Sequence, residues 1–135
     1  MAQLDISEAP PHVQAVIRAY AALNQRDVDA VPELDEATTC TTRAQVRERL
    51  ADLLRAFPDL TVWNLRAVDL GGGRVGVRFR LTGTNDGPLG AGRPPTGRKI
   101  EADMYDLIRF DANGRIVDGR NLSDLEPIAE QLGLA

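Results

Sequence analysis

The spacing of apolar residues changes once along this chain, from a helical period to the alternation of strands. Before Pro58, apolar positions three and four apart predict one helix over residues 7–24 and another that follows the capping-box sequence at residues 42–45. Between them, Asp27 has the position of a helix N-cap and predicts a second, short helix. The first part of the chain is therefore predicted to be helical.

From residue 61 onward, alternation with period two predicts an antiparallel meander. A triple-glycine turn, a long loop rich in glycine and proline over residues 83–97, and the turn Asp-Ala-Asn-Gly separate the strands. A second capping-box sequence at residues 123–126 predicts a last helix that ends near Leu132 and Gly133. The predicted strands cover residues 61–70, 74–82, 98–110 and 115–122.

Helices followed by a meander and a final helix predict an α+β fold in a single domain over residues 1–135. The expected architecture is a cone-shaped α+β barrel, in which the N-terminal helices pack against a strongly curved antiparallel sheet and a C-terminal helix follows. A curved sheet folded over helices leaves a conical interior. The fold therefore predicts a hollow that can hold a small ligand.

One carboxylate interrupts an apolar strand face. The stretch IEADMYDLIRF places Met104, Asp106 and Ile108 on the same side of a strand. Burial raises the pKa of a carboxyl group and favours the protonated acid, which can donate a hydrogen bond to an oxyanion or deliver a proton. The alternative is structural, because Asp106 can accept a hydrogen bond from Tyr20, Trp63 or a backbone amide.

The pairing of the last two strands decides what surrounds this acid. If residues 110 and 115 form the first pair after the turn, Asp106 lies opposite Gly119 and shares its face with Asn121. A slip of one residue would instead bring Asp118 and Arg120 to that face and give Asp106 a salt-bridge partner. The first register is preferred, because it keeps the charged pair off the apolar side.

Several other side chains are expected near the hollow. Tyr20 and Trp63 offer polar groups to a ligand or pack in the core. Asn85, where the long loop begins, faces the pocket mouth or forms a turn. The candidate substrate-binding residues are Tyr20, Trp63, Phe79, Asn85, Met104 and Ile108, and the candidate catalytic residues are Asp106 and Asn121.

Composition and charge narrow the classes of function. The net charge is −4 and the pI is near 5.0, without a basic stripe, so a nucleic-acid partner is not expected. No apolar run approaches the roughly 18 residues of a membrane span, and the first residues lack a signal-peptide pattern. With one cysteine and one histidine, the chain offers neither an internal disulfide nor a zinc site. We expect a cytoplasmic protein without metal or cofactor.

Specific motifs resemble a known family. GTNDG and PPTG in the long loop, DLIRFDANGRIV across the last turn and the closing QLGL are similar to SnoaL-like polyketide cyclases, and the resemblance spans most of residues 13–134. The stretch VIRAYAALNQRD also resembles ketosteroid isomerases. Both families share the nuclear transport factor two type of α+β cone. The resemblance places Asp106 where the cyclases carry a cavity-facing histidine and the isomerases a protonated aspartate.

The chain departs from these families at several positions. Asn121 replaces the cyclases' acid/base carboxylate on the fourth strand, and Asn85 replaces a histidine of the turn. The isomerases' phenol on the first helix is Ala19 here, with Tyr20 one step round the helix. Residues 34–42 are shorter than the family's segment that walls one side of the cavity. The resemblance therefore implies a pocket with reduced acid/base chemistry.

Two hypotheses follow. The first is a cofactor-free enzyme of the cyclase, isomerase or hydroxylase type for a small hydrophobic, carbonyl-bearing compound such as a polyketide. Asp106 would be its acid or oxyanion donor, and Asn121 would orient the substrate. The alternative is a non-catalytic small-molecule-binding or dimerisation module that has lost the cyclase acid/base. A homodimer is expected through the outer sheet face, which includes Arg78, Arg80, Glu101, Asp103 and Tyr105.

Overall fold

A computed structural model describes residues 9–90 and 92–134. Its strands form one antiparallel sheet in the order β1-β2-β3-β4, which confirms the predicted meander. The predicted start of the first helix at residues 7 and 8 lies outside the described residues. The elements are α1 (Pro11–Leu23), α2 (Glu36–Thr39), α3 (Arg43–Ala56), β1 (Thr61–Gly71), β2 (Arg74–Thr84), β3 (Lys99–Phe110), β4 (Ile116–Asn121) and α4 (Glu126–Gln131).

Helix α3 begins with the predicted capping box. The Thr42 hydroxyl accepts a hydrogen bond from the Gln45 amide at 3.0 Å, and the Gln45 side chain accepts one from the Thr42 amide at 2.9 Å. Two backbone donors that a helix start would leave free are thereby satisfied. The helix ends before Pro58, with Phe57 as its C-cap.

The helix predicted to begin at Asp27 does not form. The Asp27 carboxylate accepts from the amide of Asp29 at 2.9 Å, which closes a turn within two residues. The short helix α2 begins further on, after Asp35, whose side chain accepts from the amide of Thr38. The Asp27 carboxylate therefore stabilises a local turn and does not cap a helix.

The second capping box, at residues 123–126, is also absent. The Ser123 hydroxyl accepts from the amide of Tyr105 on β3 at 2.7 Å, so it is engaged with the sheet. The Asp124 carboxylate accepts from the amide of Glu126, and α4 follows Leu125 without a side-chain cap. The predicted end of this helix near residues 132–133 is confirmed.

The pairing of β3 with β4 differs from the prediction by two residues. Asp106 lies opposite Asn121 and not opposite Gly119. One offset arises at the turn, where Phe110 pairs with Ile116, and a bulge beside this pair adds the second. Because two offsets restore the parity of the strand, Asn121 still shares a face with Asp106, as predicted.

The core lies between the inner face of the sheet and the helices. Helix α1 packs on β1 and β2, while α4 lies along the part of β3 that β4 does not cover. There the Gln131 side chain bonds both the amide and the carbonyl of Glu101, at 2.7 and 3.0 Å, and so closes an exposed strand edge. None of the helices in the described ranges has the length and apolarity of a membrane span.

Candidate functional site

A cavity of about 320 Å³ lies under the curved sheet, and we call it the inner cavity. It adjoins a second space of about 490 Å³, the vestibule, which is bounded by β4 and the segment around α2. Tyr20, Asp106 and Asn121 line both spaces. The inner cavity is otherwise mostly apolar, with Val16, Leu23, Leu50, Leu53, Leu60, Val62, Phe79, Leu81, Met104 and Ile108 in its wall. The vestibule is more polar, with Thr38, Thr39, Thr41, Arg49, Asp118 and Arg120.

Asp106 meets Tyr20 at the junction of the two spaces. The Tyr20 hydroxyl donates to Asp106 Oδ2 at 2.5 Å, across the gap between α1 and β3. Tyr20 follows Val13 and Val16 on the buried face of α1, at helical spacing. Its ring packs against Phe79 at 60° with 5.2 Å between centroids, which fixes the direction of the hydroxyl.

Burial controls the protonation of this pair. Desolvation raises the pKa of Asp106, and the hydrogen bond from Tyr20 opposes that rise. Desolvation, together with the nearby Asp106 carboxylate and the hydrogen bond to it, raises the pKa of Tyr20. Tyr20 therefore stays a neutral phenol that holds one carboxylate oxygen. The other oxygen, Oδ1, has no hydrogen-bond donor within residues 9–90 and 92–134.

Asn121 lies beside the acid, directly across the β3–β4 ladder from Asp106. Its side-chain oxygen accepts from the amide of Ser123 at 2.8 Å. This bond orients the amide group and leaves its NH₂ without a described partner. Asn121 can thus offer hydrogen-bond donors to a ligand, but it has no proton to exchange near neutral pH.

Trp63 does not line the hollow, contrary to the prediction. Its side chain is 51% exposed on the outer face of the sheet, where the indole N–H donates to Thr82 Oγ1 at 2.7 Å. A bulge follows in β1, with Asn64 at a φ of 53°. The bulge changes the alternation, so Val62 and Leu65 point inward and Trp63 points out.

Asn85 is a structural residue, and its predicted place at the pocket mouth is wrong. It is fully buried and lines neither space. Its amide donates to the carbonyl oxygens of Ala56 and Gly87, at 3.1 and 2.9 Å. Its side-chain oxygen accepts from the amide and the hydroxyl of Thr96, both at 2.8 Å. The alternative of an asparagine that organises the loop is the one observed.

The remaining predicted lining residues lie where expected. Phe79 and Met104 are buried, face each other across β2 and β3, and line the inner cavity with Ile108. The place of Tyr20 is also confirmed. Their roles toward a ligand stay predictions.

The short connection before α3 walls more of the cavity than its length suggested. The Ile116 amide donates to the Glu33 carbonyl and the Asp35 amide donates to the Ile116 carbonyl, both at 2.8 Å. These bonds attach the segment to the edge of β4 beside Leu34. Thr39 and its neighbours then close one side of the vestibule. The spacing of apolar residues could not predict this wall, because the wall depends on pairing between segments that are far apart in the chain.

The outer face carries cross-strand ion pairs at one of its arginines. Arg80 binds Glu101 at 2.8 Å and Asp103 at 3.0 Å. Arg78 instead lies over the ring of Tyr105, 6.0 Å from its centroid. Within residues 9–90 and 92–134, no group of three or more histidine, cysteine, aspartate or glutamate side chains is placed to hold a metal ion.

A four-stranded antiparallel sheet over helices, with a half-buried acid in its hollow, defines an α+β cone. The chain belongs to the SnoaL-like polyketide cyclase family, whose profile matches residues 14–132. A comparison with curated protein sequences finds no match.

Solved structures share this fold. A candidate SnoaL-like polyketide cyclase from Jannaschia sp. CCS1 is 23% identical, with a TM-score of 0.71 over 95% of this chain and 98% of that one. IdmH, a candidate polyketide cyclase from Streptomyces antibioticus, is 25% identical, with a TM-score of 0.65 over 92% and 99%. AclR, a candidate hydroxylase from Streptomyces galilaeus, is 21% identical, with a TM-score of 0.69 over 92% and 82%.

Proposed function

We propose that this protein is an enzyme acting on a small hydrophobic compound that carries carbonyl groups, of the polyketide type. The observation that supports it most is the Tyr20–Asp106 pair at the junction of an apolar cavity and a polar vestibule. A carboxyl group with a raised pKa, a free oxygen and a fixed partner is suited to proton transfer near neutral pH. The family and IdmH, a candidate polyketide cyclase, support the same class of substrate.

The proton step needs only one titrating group. The Asp106 carboxylate removes a proton from the carbon beside a carbonyl and becomes the acid, while the substrate becomes an enolate. In a cyclisation, the enolate carbon attacks a second carbonyl, and Asp106 returns its proton to the new alkoxide oxygen. Tyr20 keeps its own proton and holds Oδ2 in place, so that Oδ1 carries the transfer.

Asn121 would stabilise the charge that develops on the substrate. Its free NH₂ group lies next to Asp106 and can donate to the enolate oxygen. This role differs from that of the family's fourth-strand carboxylate, whose place Asn121 takes. Asp106 must then act as both base and acid.

Exchange of the α-protons of 2-tetralone in D₂O, followed by proton NMR, tests this step without knowledge of the natural substrate. The wild-type protein is expected to accelerate exchange. Asp106→Asn should remove about 100-fold or more of the protein-dependent rate, because the amide cannot accept the proton. Tyr20→Phe should lower it by roughly tenfold, because Asp106 loses its fixed partner.

The matched control is Tyr105→Phe, which removes the same hydroxyl from a tyrosine on the outer face. Its exchange rate should equal that of the wild type. Unchanged exchange in Asp106→Asn would contradict the proposal, because another group would then carry the proton.

A non-catalytic binding module is the second candidate. The amide of Asn121 in place of an acid favours it, since the site then has one proton-transfer group in place of two. Binding of 2-naphthol by a wild-type protein that leaves 2-tetralone exchange at the buffer rate would support this candidate. Restored exchange in Asn121→Asp would further indicate descent from an active cyclase.

We also propose that two copies pair through the outer sheet face. Two pairs of arginines lie directly opposite one another on adjacent strands, an arrangement that destabilises a sheet unless anionic groups approach. A two-fold axis would place the acidic end of one copy over the basic end of the other. The basic end consists of Arg66, Arg74, Arg78 and Arg109, and the acidic end of Glu101 and Asp103, which also bind Arg80.

A further inference from the structure

Helix α3 carries four arginines, and three of them have partners in the fold. Arg43 donates to two backbone carbonyl oxygens, at 2.8 and 2.9 Å. Arg47 and Arg55 each form an ion pair with an aspartate. The fourth, Arg49, makes no hydrogen bond or ion pair within residues 9–90 and 92–134. It is also the one that lines the vestibule.

The charges around the vestibule leave Arg49 without compensation. Arg120 and Asp118 also line it, but they bind each other at 3.1 Å and so form a neutral pair. Asp106 is the other acid there, and its Oδ2 already accepts the Tyr20 hydroxyl at the junction with the inner cavity. An anion entering the vestibule would therefore meet one guanidinium that has no partner among the described residues, while both acids there already have a partner.

We infer that the vestibule is an anion subsite: the substrate is amphiphilic, with an apolar body in the inner cavity and a carboxylate or similar anionic group bound by Arg49. The inference rests on the proposed function, because it names the class of substrate for the same site. A guanidinium binds a carboxylate through charge-assisted and often bidentate hydrogen bonds. Asp106 lies between the two spaces, so a compound held at both ends presents its middle carbons to the acid.

The net charge of the protein bears on how an anionic ligand could be preferred. At a net charge of −4, the protein repels anions in general. A preference for an anionic ligand over its neutral analogue therefore has to come from a local cation. This makes a pair of ligands that differ only in charge a direct test.

The experiment compares 2-naphthoate with 2-naphthamide, which share a ring system that suits the inner cavity, by isothermal titration calorimetry at fixed ionic strength. Wild-type protein is expected to bind the naphthoate about fivefold more tightly, the size of a partly exposed ion pair. Arg49→Met should bind both ligands equally, and Arg49→Lys should keep most of the preference because it keeps the charge. Arg55→Met, on the same helix outside the vestibule, should behave as the wild type.

The outcomes separate the two proposals. Equal affinity of the wild type for both ligands, or a preference that survives in Arg49→Met, would overturn the anion subsite. The proposed function would survive either result, since exchange of the neutral 2-tetralone does not require Arg49. Absence of binding by both naphthalenes, together with absence of 2-tetralone exchange, would overturn both.

Discussion

Asp106 and Tyr20 hold each other in defined protonation states. The phenol and the carboxyl group are both partly removed from water, and each is less stable in its charged form there than in solvent. Because the pKa of Tyr20 is also raised, the carboxyl group is the one that titrates first. The pair therefore contains a single exchangeable negative charge, placed at the junction of the inner cavity and the vestibule.

The raised pKa of Asp106 carries a cost in stability. At pH values between the ordinary pKa of aspartate and the raised one, the folded protein retains a proton that the unfolded chain releases. Stability therefore falls as pH rises through this window and stays lower above it. Asp106→Asn removes the charge but keeps an acceptor for Tyr20, so its melting temperature should exceed that of the wild type by a few degrees at pH 7.

The difference should vanish at a pH below the ordinary pKa of aspartate, where the wild-type group is protonated in both states. Thermal unfolding between pH 3 and 8 measures it, and carbon NMR of the carboxyl group locates the window. Asp103→Asn is the control: its carboxylate pairs with Arg80 on the surface, so no gain at neutral pH is expected. A neutral-pH melting temperature of Asp106→Asn below that of the wild type would contradict the burial argument.

At the scale of elements, the loop between β2 and β3 depends on one buried amide. Asn85 makes four hydrogen bonds that join this loop to the end of α3. Removal of the amide leaves buried carbonyls and donors without partners, so Asn85→Ala should lower the free energy of unfolding by about 3 kcal/mol. Urea unfolding measures the loss.

The same variant tests the corrected role of Asn85. Since the residue lines neither space of the hollow, 2-naphthol should bind the folded variant with the wild-type affinity. Asp86→Ala, at the exposed neighbouring position, should change neither stability nor binding. If Asn85→Ala lost 2-naphthol affinity but kept normal stability, Asn85 would have a role in ligand binding, which would contradict the structural role.

At the scale of the whole molecule, charge is unevenly distributed. The chain is acidic overall, yet the end of the outer sheet face near Arg78 is basic. Self-association that pairs opposite ends of this face would weaken with salt, because exposed charges are screened.

Sedimentation analysis of the wild type should therefore show a dimer that dissociates more readily at about 1 M salt. Arg78→Glu should weaken it by an order of magnitude or more, because a rim of like charges then faces the acidic end. Arg18→Glu, on the exposed side of α1, makes the same charge change elsewhere and should leave the dimer intact. A wild-type monomer at all concentrations tested would remove the proposal.

The order of the elements could be predicted because each depends on neighbours in the chain. Thr42 and Gln45 cap α3 through atoms three residues apart, and the alternation around Asp106 follows from the geometry of any strand. The same locality explains the errors. Asp27 and Ser123 carry side chains that can cap a helix. In the structure, however, Asp27 accepts a hydrogen bond within a local turn, and Ser123 accepts one from β3.

Residues of the candidate site could be predicted only where the direction of a side chain from its strand was enough to place it. The alternation of side chains along a strand was enough to predict that Asn121 shares a face with Asp106. The prediction held because the two one-residue offsets in the β3–β4 pairing cancel in their effect on side-chain direction. Trp63 was misplaced because one bulge reversed the alternation, a choice made by packing and not by the strand itself.

The sequence by itself determined an α+β chain with a lone acid on the apolar face of its third strand, because period and parity are properties of the local backbone. Only the tertiary structure decided that Tyr20 is the partner of that acid and that Asn85 holds a loop together. Only it decided that Arg49, at the vestibule, has no hydrogen-bond or ion-pair partner among the described residues. Those outcomes depend on segments far apart in the chain, whose distance and desolvation are fixed only when the sheet curves over the helices.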